Sequence, residues 1–357
     1  MYDKDKVITI VGGGISGLTT AYILKQAGMR VQIVHNSDTL MDATSGNPSA
    51  MLDARPVNDD TPHAVFNKVA FEYAYKFYDS LPENVWARRG LLKFPHSEKE
   101  AERFDKMING KKTLGSFNPL EIKAVDHISA NIILNSPAPM GGLFFKNGGA
   151  VYPHKIRDVL SKDITIIKGS AQSIEKNKDG FVIHTENKII QTHIVILSTG
   201  YAINDLCPKA MSHTVTRGQI AFVEDLKTNP AIVSCMTGYV IPTENGYMLG
   251  STAKRDDFDS TIRAEDFETI ATKTAPITNT PTLNDPIGRV GFRSNPANRI
   301  AWALPIQENY YIVAGMGSRG FINAPLCGQI IKSMILGEKL PISQSVIDAS
   351  LHEKYGI

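Results

Sequence analysis

The apolar run Val7-Ile8-Thr9-Ile10-Val11 passes directly into Gly12-Gly13-Gly14-Ile15-Ser16-Gly17, and no other stretch constrains the chain as tightly. The run is rich in β-branched residues and reads as a buried strand. Leu18 to Gln26 has helical spacing, Gly28 stops that helix, and Val31 to Val34 form a second buried strand. Strand, G-x-G-x-x-G turn, helix and strand in this order are the signature of a dinucleotide site. Gly12 permits the tight turn, Gly14 lets a pyrophosphate approach the backbone, and Gly17 lets helix and strand pack closely. The phosphates would rest on free N–H groups at the positive end of the helix. The bland alternative is a glycine-rich turn that packs without a ligand. An acidic residue usually ends the second strand and holds a ribose hydroxyl. Here that place is taken by His35 and Asn36, with Asp38 slightly beyond, so Asn36 or Asp38 is the candidate ribose partner.

At 357 residues the chain has room for a large core and two interleaved domains. A formal net charge of +2 does not announce a nucleic-acid binder, although a local patch is enough for one. Cys207, Cys235 and Cys327 are scattered and unpaired in sequence, which favours a reducing compartment over a disulfide framework or a zinc site. The histidines show no ligand spacing, so no metal is expected. Val7 to Leu24 raises the question of a signal peptide, but Asp3 and Asp5 spoil a positive leader. Its glycines, with Thr19 and Thr20, spoil a spanning helix, and the expected location is the cytoplasm.

Asp42 to Pro56 is rich in small residues and turn formers, either a surface loop or a loop lying flat against a planar ligand. Pro62 to Leu81 reads as a helix with Val65, Phe66, Val69, Ala70, Tyr73 and Phe77 on its apolar side. Arg88 to Phe94 reads as a strand and Ser97 to Ile108 as a charged helix closed by Asn109-Gly110-Lys111-Lys112. The basic residues of this region, Arg88, Arg89, Lys93, Lys99, Arg103, Lys106, Lys111 and Lys112, alternate with acids and form either a solvated face or a polyanion patch. Gly141 to Phe145 reads as a strand, Asn147-Gly148-Gly149 as a tight turn, and Tyr152-Pro153 as the start of a helix to Ser161.

Ile164 to Lys168, Gln172 to Lys176, Phe181 to Thr185 and Lys188 to Gln191 read as a meander of short strands with an Asp179-Gly180 turn. The buried strand His193 to Leu197 follows and ends in Ser198-Thr199-Gly200. In doubly wound flavoproteins such a return carries the chain back to the dinucleotide, which makes FAD the expected cofactor. Strands between Val215 and Ser251, resumed at Arg289 to Arg293 after a helix from Ala264 to Thr274, predict an antiparallel sheet for a second domain. Tyr310 to Ala314 is a last buried strand and Gly315-Met316-Gly317-Ser318-Arg319-Gly320 a second glycine-rich turn. The helix after it, capped by Asn323 with Pro325 in its first turn, has an apolar face of Ile322, Leu326, Ile330, Ile331 and Met334. This is either a plain corner or a helix end facing a flavin pyrimidine, whose reduced form carries negative charge.

Several motifs together resemble the D-amino-acid oxidase/glycine oxidase class of FAD amine oxidoreductases. They are Ser45-Gly46-Asn47, Gly142-Leu143-Phe144-Phe145 with Gly148-Gly149 and Pro153, Arg217-Gly218-Gln219, Gly238-Tyr239 with Pro242, and Gly315 to Gly320 continued by Ala324-Pro325-Leu326, Gly337-Glu338 and Leu340-Pro341. The resemblance spans almost the whole chain and is greatest to the C-terminal oxidoreductase domain of the bacterial tRNA-modifying MnmC family. Ala150 departs from that subgroup's tryptophan, and Ala301-Trp302-Ala303 from its usual run before the last strand. The fingerprint begins at residue 7, which leaves no room for that family's methyltransferase half, so a separate methyltransferase is an expected partner.

What the resemblance implies is an α/β fold. A doubly wound FAD-binding domain (residues 1–80, 141–205 and 294–357) interleaves with an α+β substrate domain built on an antiparallel sheet (residues 81–140 and 206–293). It implies FAD contacts at Gly12, Gly13, Gly14, Ile15, Ser16, Gly17, His35 and Asn36. Further contacts fall at Thr44, Ser45, Gly46, Asn47, Ala171, Thr199 and Gly200, and at Gly317, Ser318, Arg319, Gly320 and Phe321. The implied substrate is tRNA carrying 5-carboxymethylaminomethyl-(2-thio)uridine at the wobble position. Hydride transfer from the glycyl carbon and hydrolysis of the imine would leave 5-aminomethyl-(2-thio)uridine and glyoxylate. Arg293 matches the arginine such enzymes place on a substrate carboxylate, and Tyr239 the facing tyrosine; the plain alternatives are a surface salt bridge and a core aromatic. Arg217, Arg255 and Arg319 are second candidates, for the flavin edge or tRNA phosphate. Two other functions stay open: a small-molecule amine oxidase acting on glycine, sarcosine or a D-amino acid, and a flavin-binding module without catalysis.

Overall fold

The strand Val7–Val11 is buried on both faces because it lies at the centre of a parallel sheet. The computed structural model describes residues 5–54, 61–109, 121–207 and 211–350. Across this sheet the strands run in the order Trp302–Gln307, Tyr310–Ala314, Ile194–Leu197, Val7–Val11, Arg30–His35 and Thr165–Lys168. All neighbours are parallel except the first pair. The helices Ile15–Gln26 and Gly320–Leu336 pack against each other. They meet where Gly328 leaves no side chain between itself and Thr20 and Ile23.

The meander is divided rather than continuous. Thr165–Lys168 adds to the edge of the parallel sheet beside Arg30–His35, while Ala171–Lys176, Phe181–Thr185 and Ile189–Thr192 form a separate antiparallel sheet. A second large sheet holds Ala50–Leu52, Trp86–Lys93, Ile122–Val125, Gly142–Val151, His213–Val223, Val233–Cys235, Tyr239–Thr243, Gly246–Gly250, Lys254–Arg255 and Ile287–Pro296. Its pairings are antiparallel except for Val233–Cys235 beside Trp86–Lys93. This is the mixed α/β architecture expected, with a predominantly antiparallel second sheet.

Five local expectations are corrected. Asn147-Gly148-Gly149 is not a turn, because Gly142–Val151 runs through it as one strand. Its partner Trp86–Lys93 slips register between Arg89 and Leu91, and the glycines accommodate that slip. The stretch from Asp42 is not wholly loop, since Ala50–Leu52 pairs with Gly149–Val151; positions 55 and 56 lie outside the described residues. On the helix Pro62–Asp79 the buried line is Phe66, Asn67, Ala70, Phe71, Ala74 and Tyr78, rotated from the predicted stripe. The charged helix Glu98–Asn109 forms as expected, and the Gly110-Lys111-Lys112 closure lies outside the described residues. Helix Ala264–Thr278 continues four residues past the expected end. Among the described residues no helix is long and apolar enough to cross a membrane.

The fifth correction concerns Asn323, which does not cap the last helix. That helix begins at Gly320, and Asn323 sits inside its first turn with its amide 3.4 Å from the Met316 carbonyl. Pro325 therefore lies inside the helix and has no N–H to give the carbonyl of Phe321 four residues back. The buried Tyr78 hydroxyl donates to that carbonyl at 2.8 Å instead. Tyr78→Phe should lower stability by about 1–3 kcal/mol in urea unfolding, because it strands a buried carbonyl. In a Pro325→Ala background the helix supplies its own N–H, and the same change should cost measurably less. Equal losses in the two backgrounds would show that the hydroxyl does not stand in for the missing donor.

Candidate active site

The strands Val7–Val11, Ile194–Leu197 and Tyr310–Ala314 of the first sheet run parallel, and beyond their carboxyl ends lies a cleft of about 720 Å³. Its far wall is the second sheet, through Gly218, Tyr239, Met248 and Gly291 to Ser294. Ligands of open α/β sheets bind at this end of the strands.

Gly12 has φ +112°, and a side chain there would overlap the Ser198 carbonyl. A Cβ on Gly17 would overlap the Gly12 carbonyl, so helix and strand meet backbone to backbone. Bonding inside the helix starts with Leu18 N–H to the Gly14 carbonyl at 2.9 Å, and the first-turn N–H groups before it have no acceptor within the helix. One of them, on Ile15, donates to Ser45 Oγ at 3.1 Å. The loop carrying Ser45 is held from both sides. Met41 N–H reaches the Gly13 carbonyl at 2.9 Å, and Arg289 donates to the carbonyls of Asp42 and Ala43. Thr44 Oγ1 donates to the Phe292 carbonyl at 2.8 Å and accepts from the Phe292 N–H at 3.1 Å. One hydroxyl thus occupies both backbone groups of a residue in the strand Ile287–Pro296.

His35 lines the cleft, but its ring is committed to the protein. Nδ1 accepts from Gly13 N–H at 3.3 Å, which leaves Nε2 to donate to the Thr39 carbonyl at 3.1 Å. In the place of the usual acid, this imidazole braces the glycine-rich turn, and of Asn36 and Asp38 the first lines the cleft and the second does not.

On the far wall Arg293 is largely buried and donates to the Thr252 carbonyl at 2.6 Å. Among the described residues no carboxylate pairs with it. Burial pulls its guanidinium below the ordinary value, and the nearby Tyr239 opposes that shift. Burial raises the Tyr239 phenol, against the opposing effects of Arg293 and a hydrogen bond with Ser251, so the phenol stays protonated. The guanidinium lies across Gly218, where a Cβ would overlap its Nη2. Arg217, one residue away, is fully enclosed. It pairs with Asp266 and donates to the carbonyls of Asp259 at 2.7 Å and Thr261 at 2.5 Å. Arg255 is exposed and away from the cleft. Arg319 lines the cleft with its guanidinium on Asp53, 2.8 Å to Oδ1 and 2.5 Å to the backbone carbonyl.

The structure brings nearly all the expected positions to this one cleft. Gly17 and Gly46 are the exceptions. Each makes room instead, Gly17 for the turn and Gly46 for the Arg289 side chain and the Met41 carbonyl. Sequence reasoning gave no site role to Gly218, although it lies in the Arg217-Gly218-Gln219 motif, and missed Asp53, Ser251, Phe292 and Ser294, which carry no motif. Along the cleft the buried hydroxyls of Ser198, Thr199 and Ser294 have no partner among the described residues. Orphaned polar atoms beside an open helix terminus fit a polar, pyrophosphate-bearing ligand.

Comparison with known proteins agrees with this geometry. The family model DAO, FAD dependent oxidoreductase, matches residues 8–334. The bifunctional protein MnmC of Idiomarina loihiensis, named for tRNA 5-methylaminomethyl-2-thiouridine biosynthesis, is 26% identical over 97% of this chain and 58% of its own length. Its counterpart in Marinomonas is 27% identical over 96% of this chain and 59% of its own. The chain therefore spans less than two thirds of these relatives. Among solved structures, glycine oxidase from Geobacillus kaustophilus superposes with a TM-score of 0.78 at 16% identity, covering 96% of this chain and 98% of that one. Iminodiacetate oxidase from Chelativorans gives 0.74 at 18% identity, covering 98% of each chain. These similarities are of fold.

Two substitutions test the geometry. His35→Leu keeps the bulk of the ring and removes the Gly13 acceptor, so binding of added FAD should weaken by about tenfold in fluorescence titration. An unchanged affinity would mean that the turn does not need the brace. Gly218→Ala should leave FAD binding intact but displace Arg293, visible as loss of affinity for simple carboxylate ligands that perturb the FAD spectrum. Retained carboxylate affinity would mean that the guanidinium acts from another position.

Proposed function

The chain belongs to the DAO family of FAD-dependent oxidoreductases, and within it we propose that the substrate is the carboxymethylaminomethyl side chain of a wobble uridine in tRNA. The products are the 5-aminomethyl nucleoside and glyoxylate. When bound, FAD supplies a two-electron acceptor for the C–H bond between the amine and the carboxylate. Residues from Gly12 to Ser16, the Thr44 to Asn47 loop, Thr199, Gly200 and Gly317 to Phe321 would hold it.

The observation that carries this reading is Arg293. It is a half-buried cation without a carboxylate partner among the described residues, on the cleft wall beside a protonated tyrosine. A substrate carboxylate would restore what burial takes from it, through paired N–H bonds. Fixing the carboxylate fixes the adjacent carbon, and positioning is most of what such an oxidation asks of the protein. The same positive charge favours the neutral form of the neighbouring amine, the form whose C–H bond is reactive. Of the lining carboxylates, Asp53 is held by Arg319 and Asp205 is exposed, so no poised side-chain base competes with this scheme. Water then adds to the oxidised C=N bond, and its cleavage frees the amine and the aldehyde of glyoxylate.

The choice of tRNA rests on the relatives, which are named for biosynthesis of a methylaminomethyl uridine in tRNA. In this reading a separate methyltransferase acts on the amine released here, and both work with tRNA in the cytoplasm.

The FAD-loaded protein should release glyoxylate from tRNA bearing carboxymethylaminomethyl-uridine, in step with its conversion to the aminomethyl nucleoside by nucleoside analysis. No release, with rapid turnover of free glycine or sarcosine, would sink the proposal. Arg293→Ala should stay yellow while its KM rises by about 10- to 100-fold. An unaltered KM would put the carboxylate site elsewhere.

A further inference from the structure

The helix Ala264–Thr278 packs on the second sheet through Ile270 and Ile277, which cluster with Ala221, Val240 and Leu249. Their strand neighbours Ile220, Tyr239 and Met248 line the cleft, so the helix covers the face that turns away from it. Glycine at position 238 lets the helix come close. A Cβ there would lie 2.9 Å from the Gly250 carbonyl and 3.0 Å from the Lys273 Cβ. From this helix the Lys273 ammonium donates to the carbonyl of Ser251, a cleft residue, at 3.0 Å.

That carbonyl belongs to the corner where the chain leaves the strand Gly246–Gly250. The other end of the same peptide is held as well, because Thr252 N–H donates to the Gln219 carbonyl at 3.1 Å. Thr252 Oγ1 also accepts from the Gln219 N–H at 2.9 Å. The Ser251–Thr252 peptide is thus pinned at its oxygen from the helix and at its nitrogen from the sheet. Of these bonds, only the one from Lys273 is charge-assisted, the stronger kind. Two cleft groups lean on the corner. Arg293 Nη2 donates to the Thr252 carbonyl at 2.6 Å, the one hydrogen bond of that guanidinium among the described residues. The Tyr239 phenol lies across Gly250, where a Cβ would overlap its Oη, with Ser251 as its polar neighbour.

We propose that Lys273, which does not line the cleft, is a positioning residue for the substrate carboxylate, fixing the corner on which Arg293 and Tyr239 are set. This rests on the reading of Arg293 as the carboxylate site. Without the ammonium, the peptide keeps only its sheet-side bonds and is free to tilt about them. The Thr252 carbonyl tilts with it, and the guanidinium loses the anchor that aims its fork at a carboxylate.

The test titrates the FAD-loaded full chain with acetate, read by the change in flavin absorption. Lys273→Met keeps the stem and removes the donor. It should weaken acetate binding by about tenfold while FAD affinity stays at the wild-type value. Lys273→Arg restores a cationic donor and should recover most of the loss. The tenfold factor should persist at high salt, where a distant charge is screened and a bond is not. Wild-type acetate affinity in Lys273→Met would overturn the inference and leave the carboxylate site standing. So would a factor that vanishes in salt, an equal loss in Lys273→Arg, or a parallel fall in FAD affinity that marks a general loosening of the fold. Arg293→Ala serves as the control. If it binds acetate as the wild type does, or if the wild type ignores acetate, the carboxylate reading and this inference fall together.

Discussion

No side chain fits between Gly17 and the carbonyl of Gly12, and the rest of the site depends on that contact. It brings the helix start to the end of the central strand, so that free N–H groups face the cleft. The turn between them is then a surface to which other elements attach. His35 braces it at Gly13, Met41 bonds to the Gly13 carbonyl, and Ser45 takes the Ile15 N–H. Each attachment is a modest hydrogen bond, but together they leave the loop little freedom.

That loop is also where the two sheets are joined. Thr44 and Arg289 tie it to the strand Ile287–Pro296, and the residue gripped by Thr44 precedes Arg293. The glycine-rich cradle and the strand that carries Arg293 are therefore registered through a single bonded step. A hydride donor and acceptor must be placed to within a fraction of an ångström, and such a short connection is how a two-sheet protein achieves it. Gly218 and Gly291 serve the same end by removing bulk where Arg293 and Thr44 cross the strands.

What could be read from the sequence was what is local. The βαβ unit, most strands and helices, and the glycine turns at both ends follow from periodicity and turn chemistry within a dozen residues. The cleft positions of the fingerprint residues followed with them. What could not be read depends on partners far away in the chain. Arg217 and Arg293 are both arginines of facing strands, and only register decides that one is sealed against Asp266 while the other opens on the cleft. Asp53 carries no motif, yet it holds Arg319 across 266 positions. Asn323 resembled a cap because the tolerance of Pro325 inside the helix comes from Tyr78, on another helix. The glycines at 148 and 149 resembled a turn because a slipped register and a turn use the same residue.

The Thr44 grip on Phe292 spans 248 positions. During synthesis the fingerprint emerges before the strand Ile287–Pro296, and its own strand and helix form from local contacts. The loop that completes the cradle stays open until the strand Ile287–Pro296 has been made and paired, because its closing partners do not yet exist. The chain thus becomes a cofactor binder only when the second sheet is already being laid beside the first. A nascent or truncated chain ending before that strand would carry a recognisable dinucleotide motif and no finished site for a dinucleotide.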